Sequence, residues 1–425
     1  MLPLVSVAFR SLLRAKRRNA LSGGTMVLGC AAMILGGGLS DGIARQLTAN
    51  LVAVQTGHLQ VVVRPDDWEP QNSPFDAYGH AQLPRALEVA QRIETQGRAL
   101  GVVRAVPYLQ ARGTAIAGNR STLAVIVGIL PEREPELRAK LRPVSGAFLP
   151  PGDALAVYIA EPMSRKLRLG VGDSVSFLIQ TPEGAINSQD AIVCGVFRKD
   201  APWYDNTFYL PLAAAQALLD WKDGGTNVKV TLADSSLRAA RAAAPGLERL
   251  LAEMQLRSPE PDTRVRVEPR DRAGRFSYSI IEANQTALGI LSSFLFAAAA
   301  VGIVNAMLMS VHERTREIGT VRALGLRRAD VVRLFLLEGA ALGSVAAALG
   351  VAIGGGSVLY LGARGIAMNT MTLAWMAGGD RLVPVLEPAS VARAALAIVL
   401  LSTLAAAYPA RVASRLLPRE ALHHV

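Results

Sequence analysis

Cysteine occurs only twice in the 425 residues, at Cys30 and Cys194, so no disulfide framework can hold this chain together. Lysine is scarce as well: six positions (16, 140, 166, 199, 222 and 229) out of 45 basic residues, the rest being arginine. No Gly-Lys pair occurs anywhere, which excludes a phosphate-cradling GxxxxGK[ST] loop. The five histidines (58, 80, 312, 423, 424) and two cysteines show no metal-ligand spacing, and the HExxH zinc pattern is absent. Charged residues make up 19% and apolar residues 51%, the reverse of what disorder requires. Catalysis by this chain is therefore not expected.

What is abundant is apolar length. Residues 20–39 carry no charge over 20 positions, enough to cross a hydrocarbon core of about 30 Å at about 1.5 Å per residue. Residues 286–311 are uncharged, 331–361 are apolar with Arg333 and Glu338 near their start, and 390–410 form a fourth run. Backbone in lipid must satisfy its own hydrogen bonds, so these runs predict four transmembrane helices. Val27-Leu28-Gly29-Cys30 resembles a lipoprotein processing site, but the apolar run continues through Leu39 and the first span is read as retained.

The net charge of +11 first points to nucleic acid, and its distribution overturns that reading. Residues 1–19, 312–333 and 411–425 together hold 14 basic and 4 acidic groups, whereas residues 40–285 hold 28 basic and 27 acidic. Four spans place the three basic segments on one side. Positive charge collects inside, so both termini are assigned to the cytoplasm and residues 40–285 and 362–389 to the outside.

The outer segment reads as α+β in two lobes, with the ends of the segment forming a helix-and-sheet lobe and the middle a more β-rich one. Ser40 to Ala53 extends the first helix outward. Residues 57–63, 123–130, 173–179 and 191–197 are rich in β-branched side chains and predict strands. Asn227 to Leu232, a helix from about Ser236 to Leu256, and Arg264 to Val267 read as a βαβ unit.

Several smaller patterns carry alternative readings. Leu21-Ser-Gly-Gly-Thr25 resembles an ATPase signature, but at the mouth of a span helix packing accounts for it. Gly339, Gly343, Gly350 and Gly354 have the small-xxx-small spacing of closely packed membrane helices. Asn305 and Glu338 are polar groups within spans and call for partners, Glu338 lying about two turns past Asp330, the expected N-cap. The first 18 residues place Val5, Phe9 and Leu12 opposite Arg10, Arg14 and Arg17, an interfacial helix set against an anionic leaflet. Met368, Met371, Trp375 and Met376 form an apolar group that suits core packing, or contact with lipid or an apolar substrate. Residues 312–330 are dense in charge: Glu313 and Glu317 share a helix face beside Arg314, Arg316 and Arg322, and Gly325 is placed to end the helix. In a short loop between two spans, that surface fits partner docking better than solvation.

Asn305 to Gly325 (NAMLMSVHERTREIGTVRALG) and the small-residue span after it resemble the FtsX-like permease family, the membrane subunits of type VII ABC transporters. Ser40-Asp41-Gly42, Gly57-His-Leu-Gln60, Leu169-Gly-Val-Gly-Asp173 and Phe208-Tyr-Leu-Pro-Leu212 extend the resemblance along the chain. It implies a multi-pass protein of the cell inner membrane with a two-lobed MacB-like periplasmic core. It also implies a permease pair, homodimeric or heterodimeric, each member docked through residues 313–325 on a cytoplasmic ATPase subunit that binds ATP and Mg. The mechanism implied is mechanotransmission, in which ATPase closure moves the spans and they reshape the outer domains. Ser40-Asp-Gly and Gly57-His-Leu-Gln look closest to lipoprotein-releasing (LolC/LolE-like) permeases. Met33, on the cavity face of the first span, and the Met/Trp group would then meet acyl chains handed to a periplasmic carrier. Efflux of small molecules or peptides with an adaptor and an outer-membrane channel, and a signalling scaffold for a cell-wall hydrolase, are the alternatives.

Overall fold

The structure, a computed structural model, describes residues 16–69, 82–152, 154–181, 183–199, 206–256, 262–313, 315, 316, 318, 320 and 327–415. It divides into two compact units, one of residues up to 44, 282–366 and 382 onward, the other of residues 45–281 and 367–381. The amphipathic reading of residues 1–18 lies almost wholly outside the described residues.

Among the described residues, the helical unit is built on four helices long and apolar enough to cross a membrane. They are α1 (Lys16–Leu51), α8 (Arg275–Glu313), α9 (Arg328–Arg364) and α11 (Pro388–Arg415). At about 1.5 Å per residue, the 36 residues of α1 reach about 54 Å, well beyond a hydrocarbon core of about 30 Å. The helix therefore continues through Ser40 as the sequence reading has it. Met26, Cys30, Ile34, Ile303, Met307, Ala346, Ile398 and Ala406 form the central core, and Val311, Val331, Phe335, Ala410 and Ala413 a second cluster.

One expectation is corrected at the start of α9. Asp330 is not the N-cap, since the helix begins at Arg328 with Arg327 in the capping position. Asp330 sits in the first turn, where its charge meets the positive end of the helix dipole, and Arg333 Nη1 lies 3.4 Å from its carboxylate. Glu338 is buried.

The second unit is a mixed sheet with helices against it. In chain order its elements are β1 (Leu59–Pro65), α2 (Ala86–Gln96), β2 (Val102–Ala117), β3 (Arg120–Ile129), α3 (Pro135–Lys140), β4 (Leu141–Gly146), β5 (Ala156–Ala160) and α4 (Glu161–Leu167). There follow β6 (Ser174–Gln180), β7 (Ile186–Lys199), β8 (Thr207–Pro211), α5 (Leu212–Leu218), β9 (Asn227–Leu232), α6 (Leu237–Ala252), β10 (Thr263–Pro269) and α7 (Arg270–Ala273). The strands run in the order β10-β1-β9-β2-β3-β8-β5-β7-β4, with β6 bridging β2 and β7.

The expected βαβ unit is present but split. β9 and β10 both run antiparallel to β1, which lies between them, so they are parallel without touching. The Ser236 hydroxyl accepts from the Ala239 amide at 3.1 Å and caps α6, while Leu247 and Leu251 bury on the strands.

β2 is the longest strand and the sequence reading contains no strand there. Pro107 lacks an amide hydrogen, and Arg104, Arg112 and Gly113 interrupt the apolar pattern. Tertiary pairing overrides that pattern: Val102–Tyr108 pair with β9 and Leu109–Ala117 with β3. β2 thereby feeds one core through Val102 and Ala105 and another through Leu109 and Ala115.

Residues 367–381 lie within the loop 362–389 that the sequence assigns to the outside. They carry α10 (Met371–Ala377) and belong to the same unit as residues 45–281. Asn50 Nδ2 donates to the Gly378 carbonyl at 2.6 Å, and Gln46 Nε2 to the Gly378 and Arg381 carbonyls at 3.3 and 3.1 Å.

Candidate functional site

Within the helical unit, α1, α8 and the start of α11 enclose a cleft of about 520 Å³. Its floor is apolar, from Met33, Leu288, Leu295, Val391, Ala394 and Ala397, and Leu291 lines it while remaining exposed. Its rim is polar, from Ser40, Asp41, Gln285, Glu387, Ser390 and Arg393.

The Gly36-Gly37-Gly38 run makes room for it. A Cβ on Gly38 would stand 2.8 Å from Val358 Cγ2, and the Gly38 carbonyl accepts from the Val385 amide at 3.0 Å. A Cβ on Gly37 would meet nothing within 4 Å, because that side opens to the cleft. One face of the glycine run thus receives the segment leading into α11 while the other leaves volume free.

The rim is cross-tied. Ser390 Oγ donates to Asp41 Oδ2 at 2.8 Å, Arg393 Nη2 donates to Ser390 Oγ at 3.0 Å, and Asn284 Nδ2 donates to Ser40 Oγ at 3.4 Å. Gly38-Leu39-Ser40-Asp41-Gly42 has the GxSxG spacing of a hydrolase nucleophile elbow. It lies inside continuous α1, without the strand-to-helix turn that exposes such a serine, so the chemistry has no frame here.

The sequence-predicted residues fall in several places. Met33 lines the cleft. Met368, Met371, Trp375 and Met376 belong to the other unit: Met376 and Leu373 are half exposed, Met368 is half-buried, and only the helical backbone is described for Met371 and Trp375.

Gly339 and Gly343 face α11, and Gly350 and Gly354 face α1. A Cβ on Gly343 would stand 1.9 Å from Ser402 Oγ, and one on Gly354 2.8 Å from the Ala31 carbonyl oxygen. Each pair permits one backbone-close helix contact. Of the charged segment, Glu313 ends α8 and is exposed, as is Arg316; Arg314, Glu317, Arg322 and Gly325 lie outside the described residues. Thr315 is buried, its hydroxyl donating to the Val311 carbonyl at 2.9 Å, and Ile318 packs on the cluster around Phe335. Among the described residues 313–320, Thr315 and Ile318 are thus held while Glu313, Arg316 and Thr320 are exposed.

The cleft rim was missed in the sequence. The adjoining Gly36-Gly37-Gly38 and Ser40-Asp41-Gly42 were the signal, but Ser390 and Arg393 lie some 350 residues away and give no local sign.

Residues 289–418 match the FtsX-like permease C-terminal family, and residues 20–246 match the MacB-like periplasmic core domain. The lipoprotein-releasing system transmembrane protein LolC of Xylella fastidiosa is 26% identical over 365 residues, covering 81% of this chain and 78% of that protein. The macrolide export ATP-binding/permease protein MacB of Bdellovibrio bacteriovorus is 26% identical over 442 residues, covering 98% of this chain and 61% of that protein. The crystal structure of the periplasmic region of MacB from Actinobacillus actinomycetemcomitans aligns with 53% of this chain and 94% of its own, at 14% identity and a TM-score of 0.36.

Proposed function

Because the chain belongs to the FtsX-like permeases and carries a MacB-like periplasmic core domain, we propose that this ABC transporter permease extracts lipid-anchored proteins from a membrane leaflet. A separate ATPase subunit drives it, docking on residues 313–325, of which Glu313 and Arg316 are exposed. The four long helices cross the inner membrane with both termini in the cytoplasm, and the sheet unit stands in the periplasm as two lobes. Work passes from ATPase to sheet unit by mechanotransmission through the spans, in a complex with a second permease.

The observation that carries the substrate reading is the cleft. Its apolar floor suits acyl chains, and its polar rim, with both charge signs, suits the linkage where chain meets lipid anchor. Extraction of a two-part ligand of this kind needs an apolar recess open between helices under a polar edge.

The test is release from proteoliposomes holding the complex and its ATPase. Acylated reporter protein should pass to a soluble carrier with ATP, and the same protein without acyl chains should give no signal. Gly37→Leu, which fills the cleft, should abolish release with ATP hydrolysis retained. Equal release of a soluble small molecule in place of the acylated protein would favour efflux instead.

A further inference from the structure

In the sheet unit, the outer end of α1 is capped by a cation that α1 does not supply. Past Leu51 the helix widens into a π-helical turn, Val52–Thr56, and there is no basic residue in the last turn of either. The final carbonyls of a helix lack intrahelical donors and form the negative end of its dipole. Lys229 of β9 fills that need: its Nζ donates to the Ala53 carbonyl at 3.1 Å.

The same ammonium donates to Glu134 Oε2 at 2.6 Å and to the Tyr108 hydroxyl at 2.9 Å, with both charged side chains almost wholly excluded from solvent. Burial lowers the Lys229 pKa and the adjoining Glu134 carboxylate opposes that shift. Around this pair, Arg104 of β2 bonds Glu136, and Arg133 bonds Glu94 of α2. Backbone contacts complete the joint. The His58 amide donates to the Val230 carbonyl at 2.9 Å, and a Cβ on Gly57 would stand 2.6 Å from Lys229 Cγ.

We propose that Lys229 is a positioning residue that fixes the axial register of α1 against the sheet, so that a shift of the helix is carried into β9 and β2 rather than absorbed at a slack connection. An apolar contact would let the helix end slide. A hydrogen bond to one named carbonyl does not, because a slide of one residue, about 1.5 Å, takes the acceptor out of reach and leaves a buried ammonium short of a partner. The anchoring half stands on this geometry alone; the half concerning transport rests on the permease reading above.

The test compares full-length wild type with Lys229→Met combined with Glu134→Leu, which removes both charges together and so avoids an unpaired buried carboxylate. Amide hydrogen exchange is followed in lipid nanodiscs. Residues 52–58 should exchange about ten- to one-hundred-fold faster in the double variant, with β1, β2 and β9 protected as before. Unchanged protection at 52–58, or a loss spread evenly over the sheet, would overturn the anchor. In the reconstituted complex the double variant should hydrolyse ATP normally while ATP-driven release of acylated reporter falls at least ten-fold. Release at the wild-type rate would overturn the transport half. A wild-type complex that releases nothing would count against the permease substrate instead, and exchange would still decide the anchor.

Discussion

Ser390 Oγ lies 2.8 Å from Asp41 Oδ2, which ties the first turn of α11 to α1 across residues 349 apart in sequence. The hydroxyl also accepts from Arg393, so one side chain holds an acid and a base on the rim of the cleft. Ser390→Ala should cost about 1–2 kcal/mol, read as a lower unfolding midpoint in detergent, since a hydrogen bond to a charged group is lost and water replaces part of it. Asp41→Asn keeps the shape and should cost less. Equal midpoints for wild type and Ser390→Ala would show that the tie does not hold the rim.

Gly343 and Gly356 lie on the same helix and should respond oppositely to alanine. At Gly343 the added methyl meets Ser402 Oγ at 1.9 Å, and the contact with α11 must open, at about 1–3 kcal/mol. At Gly356 nothing lies within 4 Å, so alanine should be neutral or stabilise the helix by about 0.5–1 kcal/mol. Thermal unfolding of the two single variants checks the contrast.

Acidification should weaken the sheet unit through His58. Its side chain is buried, and Nδ1 accepts from the Leu232 amide at 2.9 Å, which only the unprotonated nitrogen can do. Burial first, and then the Arg270 charge, hold its pKa below the ordinary 6.5. The folded state thus binds the proton less readily than the unfolded chain. The contribution is complete above about pH 6.5 and is lost progressively as pH falls below it. Unfolding followed between pH 7.5 and 5 should show this slope, and His58→Gln should flatten it.

Asn50→Ala should free residues 367–381. It removes the 2.6 Å bond to the Gly378 carbonyl, while the Gln46 bonds to the Gly378 and Arg381 carbonyls stay. Limited proteolysis should then cut between 367 and 381 at least several times faster, while β1 and β9 stay intact. A cutting rate equal to wild type would contradict the tether.

If residues 313–325 dock the ATPase as proposed, Glu313→Lys with Glu317→Lys should release it from the complex without unfolding the spans, because the double change reverses the charge at two positions spaced i,i+4 in the sequence. Co-purification of the ATPase and its hydrolysis rate are the readouts, and retention of both would remove residues 313–325 from the docking role.

The presence of the long helices was legible in the uncharged runs that marked α1 and α8, although α8 begins at Arg275, well before the run at 286–311, and the four-residue spacing marked Gly339, Gly343, Gly350 and Gly354 as small positions. β9, α6 and β10 were legible because each is local and strongly patterned. β2 was not, since Pro107 and Gly113 look like breaks until β9, β3 and β6 are in place to pair with it. The cleft rim and the Lys229 contacts were invisible for the same reason. Asp41 with Ser390, and Ala53 with Lys229, meet only through the fold, and a buried lysine reads in sequence like any solvated one.

The position of β1 sets a constraint on biosynthesis. Its two neighbours are β9 and β10, so residues 59–65 have no strand partner until the chain has been made through Leu232, and only β9 until it has been made through Pro269. At about 5–20 residues per second, roughly 170 residues take on the order of 10–30 s, during which the Val61-Val62-Val63 segment waits with both edges open. A newly made chain is therefore most exposed to mispairing just after its first long helix is complete, and a factor that shields extended apolar segments would act there.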